Sequence, residues 1–195
     1  VLIIPQAAGA YFQVLAELDK EKDTLKREAL LEGNTLVFDP GFFSVDWVVL
    51  GQGAIRYESS SSSTLAMSMV LEKLVNAIHK DYGIRPQVEQ VERAIRGEKD
   101  QIMLTGEIVP INDYMASSAE EAAYTTLQEV KSSLRGEGIK PDMVVPVGGG
   151  AETYLEALQE HFPRCLITKL DNPVMANARG FWHALETYVL QKSAA

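Results

Sequence analysis

One cysteine, Cys165, occurs in the 195 residues, so no internal disulfide can close and no second thiol is present to build a metal site. That fits a reducing cytoplasm, and the residue itself reads as a small buried hydrophobe near a strand. Long apolar runs are also missing: nothing approaches the ~20 residues that cross a bilayer, which excludes a membrane-spanning helix. Basic residues are the minority, 18 Lys plus Arg against 27 Asp plus Glu for a formal charge of -9. They gather into no stripe that could neutralise phosphates along a nucleic acid, so direct nucleic-acid binding is not expected. His79, His161 and His183 lie far apart with no carboxylate or thiol at ligand spacing, and are expected at surfaces or helix ends. Neither the G-x-G-x-x-G of a dinucleotide fold nor a P-loop with its Lys and Ser/Thr occurs. The chain opens on Val1-Leu2-Ile3-Ile4 without initiator Met, charged leader or cleavage site, which reads as an internal strand of a longer protein.

What is present is ordinary globular composition, 46% hydrophobic and 23% charged, enough for the core of one domain or two small lobes. Val1 to Ile4 reads as a strand stopped by Pro5, and Ala10, Val14, Leu15 and Leu18 fall at helical spacing within Ala7 to Leu18. The charged stretch Asp19 to Glu32 reads as solvated. Thr35 to Phe38 and Val45 to Leu50 form a predicted hairpin around Asp39-Pro40-Gly41, with a third strand near Ala54 to Glu58. The serines Ser59 to Ser63 then suit the capped start of a helix over Leu65 to Ile78. A small inserted lobe is expected from about 78 to 113, containing a helix at Val88 to Ile95 and an extended segment at Gln101 to Leu104. Tyr114 to Leu134 is an amphipathic helix. Met143 to Val147 is an apolar strand that runs into Gly148-Gly149-Gly150 and then a helix over Glu152 to His161. Leu166 to Leu170 and Asn177 to Leu190 supply a last strand and a last helix. Trp47 and Trp182 are expected in cores.

Two segments could carry chemistry. In Asp39-Pro40-Gly41-Phe42-Phe43-Ser44-Val45-Asp46 a glycine permits close approach of backbone amides to phosphate, a hydroxyl can donate to it, and a carboxylate can hold the water shell of Mg²⁺. A tight turn in which Asp39 and Gly41 serve only the turn fits the same residues. Phe42 and Phe43 would either close over a ligand or anchor the loop. In the second segment, Gly148, Gly149, Gly150 and Ala151 follow a buried strand, so a flat ring or a phosphate could lie on the backbone near the positive end of the following helix. A ligand-free strand-to-helix turn is the alternative there.

In this order, with about a hundred residues between them, the two segments resemble the second domain of the actin, sugar-kinase and heat-shock-chaperone superfamily. The likeness is greatest to bacterial and archaeal actin-like proteins, including plasmid-segregation actins of the ParM or StbA kind. Val1 to Ala10, Val-Leu-Ile-Ile-Pro-Gln-Ala-Ala-Gly-Ala, is similar to the family's strand and Pro-Glu or Pro-Gln step, with Gln6 where the family keeps the residue that orients the attacking water. Asp39, Gly41, Ser44 and Asp46 match the second phosphate loop, Asp-x-Gly-x-x-Thr-x-Asp. Gly148 to Ala151 match the adenosine motif. Asn172 to Gly180 looks like Pro-x-x-Ala-Asn-Ala-x-Gly before the final helix.

The resemblance spans nearly the whole chain and implies an α/β, ribonuclease-H-like domain, a mixed sheet flanked by helices with a small inserted lobe. The chain would be the second domain of a longer protein whose first domain is absent. It further implies ATP or GTP with Mg²⁺ served by Asp39 through water, hydrolysis aided by Gln6, and cytoplasmic self-association into filaments, in plasmid or DNA segregation or cytoskeletal organisation, with an adaptor protein as a further partner. Pro40 removes an amide from the phosphate loop, and the 59–65 stretch lacks the glycine that many relatives carry before the next helix. Those departures favour an alternative, a non-hydrolysing scaffold with the same fold. A small-molecule kinase of the same superfamily is the third reading.

Overall fold

The structure is a computed structural model that describes residues 4–21, 23–41, 44–63, 67–97 and 99–193. Its centre is a mixed sheet. Strand β1 (Asn34–Pro40) and strand β2 (Val45–Gly51) form the expected antiparallel hairpin, in which Phe38 faces Trp47 and Asp39 faces Asp46. The Gln52-Gly53 turn, with both residues at positive φ, leads to the short β3 (Ala54–Ile55), which pairs with the end of β2. On its other edge β1 runs parallel to β7 (Met143–Pro146), and β7 runs parallel to β8 (Leu166–Ile167).

Successive residues of β1 face opposite sides, and both sides are covered, which is why its sequence is a continuous apolar run. Val37, Val48, Leu50, Met143 and Val145 join Ala10, Tyr11, Val14 and Leu18 of α1 (Ala8–Glu21) in one core. Leu36, Phe38, Trp47, Val49 and Val144 join Leu127, Val130 and Leu134 of α5 (Asn112–Gly136) in the other. A third cluster lies away from the sheet. It gathers Leu71, Leu74, Val75 and Ile78 of α3 (Met67–Tyr82), Val91 and Ala94 of α4 (Val88–Arg96), and Ile102, Leu104 and Val109 of the β5 (Gln101–Leu104) and β6 (Glu107–Pro110) hairpin. Tyr114 donates to Asp81 at 2.6 Å and Lys73 pairs with Glu121 at 2.5 Å, tying α3 to α5.

Several local expectations are corrected. The stretch 19–32 is not simply solvated: Asp23 caps α2 (Thr24–Leu31) by accepting from the Lys26 N–H, and Leu30 is buried beneath the sheet. The serine run is itself built into the sheet edge. Tyr57–Ser59 is a 3₁₀ turn, and Ser61–Ser63 form β4, which pairs antiparallel with Val45 to Trp47 and so satisfies that edge of β2. The helix after the triple glycine, α6 (Leu155–His161), starts three residues later than expected because residues 149–154 are spent on turns. The last strand ends at Ile167. Trp47 is buried, but Trp182, on α7 (Ala176–Ser193), is 61% exposed. The predicted first strand and the Phe42-Phe43 tip lie outside the described residues, apart from Ile4, which is not in a strand. Cys165 is half-buried beside β8; its thiol donates to the Pro141 carbonyl at 2.9 Å, and burial pushes its pKa up. Among the described residues, no helix is long and apolar enough to cross a membrane, and no group of three or more His, Cys, Asp or Glu could hold a metal ion.

Candidate functional site

Because β1 and β7 are parallel, their carboxyl ends emerge side by side, the position where open α/β sheets usually take ligands. Backbone hydrogen bonds then lace the two glycine-bearing segments together. Val147 N–H donates to the Phe38 carbonyl at 2.9 Å, Gly150 N–H to the Pro40 carbonyl at 3.0 Å, and Gly148 N–H to the Pro173 carbonyl at 2.9 Å. The bend after β1, the triple glycine and the segment before α7 thus meet at one edge. Pro40 has no N–H to offer a ligand, but its carbonyl and ring fill the space against Gly150, where a Cβ would lie 2.7 Å from the Pro40 oxygen.

Asp39 is at the centre of this junction and is 7% exposed. One carboxylate oxygen accepts from Asn177 Nδ2 at 2.7 Å. The other faces Gly148, whose φ of +77° and missing Cβ leave room for it. Burial pushes the Asp39 carboxyl pKa up; the Asn177 hydrogen bond works against this, and the nearby Asp46 charge adds to it. A buried, destabilised carboxylate of this kind gains most from a cation or donor brought to it.

Two further groups of the bend are bonded within it. Gly41 N–H closes onto the Ser44 carbonyl at 2.8 Å, and Ser44 Oγ donates to Asp46 at 2.9 Å. Gln6 is exposed in the turn before α1, with its carbonyl accepting from Gly9 N–H at 3.0 Å. Ala151 is buried. Gly149 is exposed, and a Cβ there would meet nothing within 4 Å. The helix expected to follow the glycines directly begins at Leu155, with turns between, although Tyr154 N–H already bonds back to the Gly150 carbonyl at 3.3 Å.

Beside Gly41, Gly149 and Gly150 opens a cavity of about 320 Å³, whose opposite wall is Leu71 from α3 and Glu92, Ile95 and Arg96 from α4. Arg96 pairs with Glu92 at 2.6 Å. Sequence patterning finds α4 but not its role: an i,i+4 charge pair is the usual mark of a solvated face, and only the packing of α4 against α3 and β5 turns that face toward the glycines.

This architecture is that of the actin-like proteins. The archaeal actin homologue Ta0583 superposes with a TM-score of 0.79 at 21% identity, over 95% of this chain and 56% of that one. Ta0583 in complex with ADP gives 0.75 at 21%, over 95% and 57%. The subunit of a 15-stranded ParM filament from Clostridium botulinum gives 0.69 at 20%, over 92% and 51%. The chain therefore spans little more than half the length of these relatives, and at such identities the likeness is one of fold. No curated protein matches in sequence. Residues 37–160 match the family described as archaeal actin homologue MreB-like, C-terminal, and the chain belongs to that family.

Proposed function

We propose that this chain is the second domain of a longer actin-like ATPase, and that the edge at the carboxyl ends of β1 and β7 is its half of a nucleotide cleft. The observation that carries this is the convergence of Asp39, Gly148 and Gly150 beside a cavity of nucleoside dimensions walled by α4. In this reading the base and ribose of ATP or GTP lie on Gly149, Gly150 and Ala151 against Ile95 and the Glu92–Arg96 pair. The phosphates reach toward the bend formed by Gly41, Phe42, Phe43 and Ser44. That one relative is known in complex with ADP supports the ligand class.

The residues present fit Mg²⁺ in one mode. Asp39 offers one carboxylate, whose second oxygen lies against Gly148 and not on the Asn177 amide. Mg²⁺ is commonly held by one or two carboxylates together with phosphates and waters, so Asp39 would act on its hydration shell. The ion would supply charge neutralisation of the phosphates. Gln6 would orient the attacking water, and the protein's work would be positioning and charge balance. Filament formation, supported by the likeness to a ParM filament subunit, would couple hydrolysis to self-association in the cytoplasm, in DNA segregation or cytoskeletal organisation, with an adaptor linking filament to cargo.

One observation favours the scaffold reading: Gly41 N–H and Ser44 Oγ, two groups suited to phosphate, are engaged inside the bend. Calorimetric titration of the full-length protein with ATP and GTP, followed by light scattering and phosphate release, separates the readings. Binding with scattering and turnover supports the ATPase. Binding and scattering without turnover leaves the scaffold, and absence of nucleotide binding overturns the proposal.

A further inference from the structure

Asn177 makes two buried hydrogen bonds across great distances in sequence. Its Nδ2 donates to Asp39 at 2.7 Å across 138 residues, and its Oδ1 accepts from Ala10 N–H at 3.1 Å across 167. The two partners fix the amide's orientation: a flip would set oxygen against carboxylate and NH₂ against N–H. The side chain does no capping work for its own helix. Asn172, whose Oδ1 accepts from Met175 N–H at 3.2 Å, caps the separate 3₁₀ turn Pro173–Met175 that leads into α7.

At Asn177 itself and about one turn further on, at Gly180, the helices α1 and α7 touch through backbone. A Cβ on Gly9 would strike the Asn177 carbonyl, and one on Gly180 would strike the Gly9 carbonyl. With no side chain at these crossings to absorb a displacement, a shift of Asn177 must be passed to the first turn of α1.

We propose that Asn177 is a positioning residue that holds the Asp39 carboxylate for its ligand and transmits the state of that carboxylate to Ala10 in the first turn of α1, four residues beyond Gln6. The role rests on the reading of Asp39 as a group serving nucleotide-bound Mg²⁺. When phosphate-bound Mg²⁺ draws on one carboxylate oxygen, the other stays clamped by Asn177, and any rotation of the carboxylate pulls the amide and the Ala10 N–H with it. Partners that orient a metal-serving group typically govern its metal affinity.

The test uses the full-length protein and ADP, with Mg²⁺ or with EDTA, read by calorimetry and by amide exchange over residues 8–14. Asn177→Ala is expected to weaken Mg·ADP binding roughly tenfold to a hundredfold. It should leave ADP affinity in EDTA unchanged and abolish the Mg·ADP-induced exchange change at the start of α1. A purely structural role would move both affinities together. Asn177→Ser, which keeps a polar group but is too short to reach Asp39, serves if the alanine variant does not fold, with the same loss expected. Wild-type Mg·ADP affinity together with a wild-type exchange change in the variant overturns the proposal. If the unsubstituted protein binds no ADP, the nucleotide reading itself has failed. The link is then judged from Asp39→Ala alone: faster exchange at Ala10 supports it, and unchanged exchange overturns it.

Discussion

Gly148 and Asp39 meet without room for a methyl group between them: a Cβ on Gly148 would fall against the Asp39 carboxylate. The neighbouring Gly149 is the opposite case, with open space around it and no positive φ. Gly148→Ala is therefore expected to cost on the order of 1–3 kcal/mol in nucleotide-free protein, from a side chain in the left-handed region and the displaced carboxylate. Gly149→Val should leave urea denaturation unchanged and weaken nucleotide binding alone. Equal destabilisation by both would mean that the loop is a structural turn throughout.

The wall across the cavity makes a matching prediction. Ile95→Trp adds bulk to the α4 wall of the ~320 Å³ space; Ile95 also packs on the α3–α4 cluster but belongs to neither sheet core. ADP affinity should fall by roughly tenfold or more, the scale on which apolar pockets resist added bulk, a larger effect than the loss of stability from repacking Ile95 on its cluster. Unchanged affinity would place the nucleoside elsewhere.

Burial raises the Asp39 pKa above its ordinary value, so its proton is held more tightly in the folded protein than in the unfolded chain. Its contribution is then most favourable below the ordinary carboxylate range and is lost as pH rises through the raised value. Asp39→Asn removes that loss. In nucleotide-free protein the variant should melt higher than wild type at neutral pH, and the gain should shrink as pH falls back through the raised pKa. Wild-type melting at neutral pH would show that the carboxylate is not strained by burial. Mg²⁺-dependent turnover, in contrast, should be lost.

Close helix contact at α1 and α7 predicts a contrast between two helical glycines. Gly180→Ala drives a methyl into the Gly9 carbonyl and should destabilise by about 1–3 kcal/mol, as overpacking does. Gly136, at the end of α5, has nothing within 4 Å, so Gly136→Ala should be neutral or stabilising by up to about 1 kcal/mol. Denaturant titration of the two variants checks both signs.

The local elements were legible where the pattern that forms them is itself local. The short apolar runs Thr35 to Phe38 and Val45 to Leu50 on either side of a turn, the apolar run before Gly148 and the 3.6-residue period of α1, α3 and α5 each specify an element locally. Asp39 and the glycines stood out as candidates by their order along the chain, although Asp and Gly serve ordinary turns equally well, and it is the fold that brings them to one edge. Tertiary structure alone decided the rest. Ser61 to Ser63 become a strand because β2 has an unpaired edge to fill, and no propensity in the serines predicts it. Leu30 is buried, and Trp182 exposed, by what stands opposite each of them. The charged face of α4 becomes a cavity wall by packing, and Asn177 joins Asp39 to Ala10 because the sheet brings chain segments more than a hundred residues apart within hydrogen-bond reach. Periodicity encodes which face of an element is apolar, whereas the identity of its partner is a property of the assembled fold.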